Sequence, residues 1–191
     1  MSYRIKNTWH QSDRNRPSVK TLEDNASAVA YIVWRLSLEG AKKLHGEGFE
    51  YLSDKERIGV ISEFVSFLVQ STDRLAFVRL EEEDREILIN GVGQKLADQI
   101  QDNLVDIAGP GNYRRPFIGM LNERLGGYAM LSFEEDRPGY DFLRYFGDRV
   151  LKTMPENQTN RWVIDQIMDI EAPYVFGKLK ESVTNLLGAP A

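Results

Sequence analysis

Apolar side chains recur at intervals of three and four along most of the chain, and no segment alternates cleanly enough to predict a strand. A first helix is predicted from Thr21 to about His45, with Val29, Val33, Leu36 and Leu44 on one stripe; Gly46 and Gly48 end it. The tetrapeptide SDKE at 53–56 reads as a capping box, in which Ser53 and Glu56 satisfy each other's orphaned backbone donors. It opens a long helix whose stripe is Ile58, Ile61, Phe64/Val65, Leu68, Thr72 and Leu75. The acidic run at 81–86 suits a helix amino terminus, where carboxylates meet the positive end of the dipole. A third helix follows to Ala108, with Ile89, Leu96, Ile100, Leu104 and Ile107 facing inward.

The stretch GPGN at 109–112 is the strongest break in the chain. Beyond it a fourth helix starts near Pro116 and carries Phe117, Met120/Leu121, Arg124 and Tyr128, with a break allowed at Gly126 and Gly127. Pro138 starts a fifth, with Phe142, Leu143, Phe146, Val150 and Met154. The last begins after Thr159 and runs through Ile167 and Ile170. It must kink or break near Pro173, because proline removes an N–H and crowds the preceding turn. It resumes with Phe176, Leu179, Val183 and Leu186. The expectation is an all-α fold, a single-domain antiparallel or orthogonal bundle of about six to seven helices over 21–191. The GPGN loop is a possible subdivision, but two three-helix halves would each have a thin core.

Composition narrows the chemistry. The 191 residues include no cysteine, which removes disulfides, thiolate zinc sites, iron–sulfur clusters and cysteine nucleophiles together. The longest apolar run, at 28–34, is far too short for a membrane span, and no apolar signal core is visible near residue 1, so a cytoplasmic protein is expected. The net charge of −5 is unevenly spread: residues 1–20 carry +4, leaving −9 for the rest. That balance argues against DNA or RNA binding by the body. It makes residues 1–20 a basic arm that can meet an acidic or phosphate-bearing partner.

The pentapeptide DQIQD at 98–102 nearly recurs as DQIMD at 165–169. Aspartates four apart share a helix face, so Asp98, Asp102, Asp165 and Asp169 could in principle hold magnesium between facing helices. Over these pentapeptides alone the chain resembles all-α isoprenoid-diphosphate condensing enzymes. That resemblance implies a magnesium-dependent enzyme acting on a diphosphate or nucleotide, with Arg114 and Arg115 gripping phosphate. Phase opposes it. With Ile100 at zero and about 100° per residue, Asp98 and Asp102 project about 160° away from the stripe of Leu96, Leu104 and Ile107. Asp165 and Asp169 likewise oppose Val163, Ile164 and Ile170. Glu83 to Glu86 followed by Gln99 to Asp102 resembles the ExxE and ExxD pair of all-α nucleoside triphosphate pyrophosphohydrolases, but glutamine replaces a glutamate that magnesium would need.

Neither His10 nor His45 has the Glu-x-x-His spacing of di-iron bundles; His45 reads as a packed helix-end residue. GVGQK at 91–95 lies inside a predicted helix, so its glycines are expected to allow close packing or a bend rather than a phosphate loop. Arg114 and Arg115, just ahead of a helix amino terminus, are the candidate anion-binding residues. Trp162 falls on the charged side of the last helix and needs cover from a helix, the basic arm or a second subunit. The expected function is that of a cofactor-free helical binding or interaction protein, a homodimer through Trp162. The alternatives are the magnesium enzyme and a carrier of an apolar small ligand, since bundles rich in Phe, Tyr and Met can hold a cavity between helices.

Overall fold

Backbone donors at the start of the first helix are met locally. The Thr21 hydroxyl accepts from the Asp24 N–H at 3.2 Å while the Asp24 carboxylate accepts from the Thr21 N–H at 3.1 Å. The structure, a computed structural model, describes residues 21–188. The basic arm expected for 1–20, with His10, lies outside the described residues. Helix α1 spans Leu22–Gly46, α2 Asp54–Phe77, α3 Glu82–Ala108 and α4 Arg114–Ala129. Helix α5 spans Tyr140–Thr153, the short α6 Val163–Gln166 and α7 Ala172–Leu187. The architecture is all-α, as the periodicity predicts, with helices packed as in a bundle.

Ser53 caps α2, its hydroxyl accepting from the Glu56 N–H at 3.2 Å. The reciprocal half of the box differs from expectation: the Glu56 carboxylate accepts from Leu52 N–H at 2.6 Å, one residue before the cap. Helix α2 is the axis of the fold. It packs against α1, α3, α4, α5 and α7, and every residue from 60 to 72 is buried. A one-sided stripe was expected; the polar residues between its members are instead inside. Ser62 and Ser66, like Thr72 on the stripe itself, are accommodated because each hydroxyl donates to the carbonyl four residues back, at 2.8, 2.9 and 2.8 Å.

The core is aromatic on one side of α2. The Phe67 ring stacks on Phe146 with centroids 4.4 Å apart, and Phe64 meets Phe146 edge-on at 4.9 Å. Tyr128 packs on Phe142 at 4.5 Å. Close approach of α1 to this cluster requires Gly40, since a Cβ there would lie 2.3 Å from the buried Phe64 ring. Gly91 lets α3 approach α1 in the same way, its missing Cβ falling 2.9 Å from the Ala26 methyl. Buried residues on both sides of the 109–112 loop belong to one cluster.

Three local features depart from the sequence reading. Helix α4 runs unbroken through Gly126 and Gly127. A two-residue hairpin, β1 Phe133–Glu134 with β2 Arg137–Pro138, precedes α5, so Pro138 pairs in a strand instead of starting the helix. Its turn residues Glu135 and Asp136 have φ of 51° and 57°, the left-handed values a two-residue hairpin turn needs. The third departure lies between α6 and α7, where residues Ile167–Glu171 form a π turn immediately before Pro173. The wider turn, in which the Ala172 N–H bonds to the Ile167 carbonyl, accommodates the donor missing at Pro173, and the helix passes through without a break. Its extra residue shifts the projection by about 100°. Ile170, expected on the inner stripe, is therefore 51% exposed, while Glu171 is turned inside and only 1% exposed.

Candidate functional site

The four aspartates of the repeated pentapeptides are all exposed. Asp98 and Asp102 lie on α3, whereas Asp165 and Asp169 lie on the α6 segment and its π turn, which packs against α1, α5 and α7. Glu83 and Glu86 are exposed on the same uninterrupted helix as Asp102, with about 24 Å of helical rise between Glu86 and Asp102, so the two acidic motifs do not converge. Among the described residues no group of three or more His, Asp or Glu is placed to hold a metal ion.

Arg114 is engaged with α3. Its guanidinium donates to the Asp98 carboxylate at 2.7 Å and to the Gln94 side-chain oxygen at 2.5 Å. Gln101 secures the start of α4 by accepting from the Tyr113 and Arg114 N–H groups at 2.7 and 2.9 Å. Arg115 is exposed and does not join it. His45 is exposed at the end of α1, its ring 5.7 Å from Tyr51 and its Nδ1 3.2 Å from the Phe49 carbonyl. Trp162 lies in a single 3₁₀ turn, 58% exposed, with the Arg161 guanidinium 5.1 Å from its ring centre.

What the sequence reading did not locate is an apolar groove of about 490 Å³ between α2, α3 and α4. Helix α2 supplies Lys55, Ile58, Gly59, Ser62 and Glu63 along one face. The facing walls are Ile100, Leu104 and Ile107 of α3 and Phe117 and Met120 of α4. Exposure grades along it: Lys55, Ala108 and Pro116 are exposed, whereas Ser62, Glu63, Ile100 and Phe117 are buried. The groove therefore has a mouth, where α2 and α4 begin and α3 and α5 end, and an inner end at Glu63.

Glu63 is 3% exposed and is held by Arg124 of α4 through a two-pronged pair, with N–O distances of 2.9 to 3.1 Å. The hydrogen bond that Arg124 donates to Glu63 raises the Arg124 pKa, so the guanidinium stays charged opposite the buried carboxylate, and its other nitrogen pairs with the exposed Glu123 at 2.7 Å. Beyond it, Tyr128 is fully buried, its hydroxyl has no hydrogen-bond partner among the described residues, and burial raises its pKa well above the usual tyrosine value. The Ser66 Oγ lies 3.7 Å from the Met120 sulfur, bringing α2 against the α4 wall.

A second buried carboxyl lies away from the groove. Glu171 Oε1 accepts from the Gln166 amide at 3.2 Å, while Oε2 has no hydrogen-bond partner among the described residues. Burial raises its pKa, and Glu47 and Glu39 push the same way against the opposing Gln166 bond and Lys43. No protein-family model matches the chain, and neither does any curated protein or solved structure. Among the described residues no helix is long and apolar enough to cross a membrane.

Proposed function

We propose that this chain is a non-catalytic helical binding protein whose ligand is an apolar small molecule held between α2, α3 and α4. The observation that carries the reading is the groove itself. A space of about 490 Å³ falls in the range of small-molecule sites and is walled by Ile, Leu, Phe and Met. Filling it with apolar surface is worth about 25 cal/mol per Å² removed from water. The inner end, closed by the Glu63–Arg124 pair, leaves no unpaired charge facing an apolar guest.

Titration with Nile red, an uncharged apolar fluorophore, tests this. Saturable one-to-one binding is expected. Leu104→Trp, which fills the groove from a half-buried wall position, is expected to abolish it while leaving the melting temperature close to that of the parent. Absence of saturable binding, or equal binding by the filled variant, overturns the reading.

Self-association is a second reading, favoured by the exposure of Trp162 and Ile170 on one helical segment. It predicts a mass near twice 21.9 kDa by light scattering, reduced to the monomer by Trp162→Ala. A monomer at every concentration removes it. The magnesium-enzyme reading has the weakest support. With the acidic motifs apart, magnesium plus pyrophosphate is expected to leave the melting temperature unchanged.

A further inference from the structure

The groove is not symmetric in charge, and this bears on the ligand it takes. At the inner end Glu63 is neutralised by Arg124. At the mouth the charged member of the wall is Lys55, exposed and without an ion-pair partner among the described residues. Its neighbours in the first turn of α2 are otherwise engaged: Asp54 pairs with Arg57 at 2.7 Å, and Glu56 accepts from the Leu52 N–H. Helix dipoles do not decide the sign there, because two helices begin at the mouth and two end there. Lys55 decides it.

We propose, resting on the groove reading above, that the ligand is a free single-chain amphiphile with an anionic head. The apolar chain lies along Ile58, Ile100, Leu104 and Phe117, and the head meets the Lys55 ammonium. The opposite orientation would bury the anion at an end whose cation, Arg124, is already paired with Glu63, and away from Lys55, the one cation lining the groove among the described residues. Lys55 and Glu63 are separated by about 12 Å of helical rise, which sets the length of chain the groove covers.

The test compares decanoate, decanol and decyltrimethylammonium as displacers of Nile red from the full chain. Decanoate is expected to displace about three- to fivefold more effectively than decanol, an advantage of the size an exposed ion pair provides, and the cationic analogue least effectively. Added salt is expected to shrink the advantage. Lys55→Met is expected to remove it, and Arg115→Met, beside the lining Pro116 but not in the wall, to preserve it. Equal displacement by decanoate and decanol, or a preference that survives Lys55→Met, overturns the anionic assignment while leaving an apolar groove intact. Failure of all three amphiphiles to displace the probe overturns the groove reading and this assignment with it.

Discussion

The two long sides of α2 are built from the same helix and do opposite things. Positions 64 and 67 point to a side where aromatic rings of α4 and α5 interlock. Positions 59 and 62, about half a turn away, point to a side where three helices stand apart. The difference is one of side-chain size. Phe64 and Phe67 find Phe146 and Phe142 opposite and fill their layer, whereas Ser62 offers little volume and the walls of α3 and α4 do not close over it; Gly59 instead admits Thr153 of α5, whose methyl would lie 2.5 Å from a Cβ there. Density on one side gives the rigidity against which an unfilled groove on the other can persist.

The comparison can be broken most forcefully from the dense side. Phe67→Ala removes a stacked ring from the closed layer and is expected to cost about 4–5 kcal/mol in denaturant unfolding. Glu63→Leu leaves the buried side of the Arg124 guanidinium without its carboxylate, with the exposed Glu123 as the remaining partner, and is expected to cost about 2 kcal/mol. Adding Arg124→Met should recover most of that loss, because the cost comes from the stranded charge rather than from absence of the pair. On the open side Leu104→Ala is expected to cost only about 1 kcal/mol, since the residue is half-buried and borders existing space. A loss as large as that of Phe67→Ala would mean the groove is part of the packed core.

The smallest expected effect is far from both sides. Glu171 has its folded pKa raised by burial, so the folded chain holds this proton more tightly than the unfolded chain. Stability is then expected to fall as pH rises from the ordinary glutamate value to the raised one, and to be level in this respect above it. Glu171→Gln should flatten that segment of a stability-against-pH curve and raise the melting temperature at neutral pH. An unchanged curve would show that the carboxyl is solvated.

Much of the fold is legible as period. The stripes of α1 and α2, the acidic start of α3 and the break at 109–112 all follow from apolar spacing and turn chemistry. What escapes is whatever depends on residues distant in sequence. Ser62 and Ser66 look like a solvent face until their hydroxyls are seen bonding back along the helix, and Glu63 looks solvated until Arg124 arrives 61 positions later. The π turn before Pro173 inverts the roles of Ile170 and Glu171, because a uniform 100° step does not count its extra residue. The groove is the least legible of all. Ile58, Ile100, Leu104 and Phe117 read as core residues, and nothing in their spacing says that they line a gap instead of filling it.

The most direct measurement follows side-chain methyl signals by NMR while decanol is added to the full chain. Shifts are predicted at Ile58, Ile100, Ile107 and Met120, saturating at one equivalent, with Val60 and Leu75, on the Phe64 and Phe67 face of α2, unmoved. Shifts centred instead on Leu52 or Ile170, or no saturable change at the four groove positions, would contradict the account.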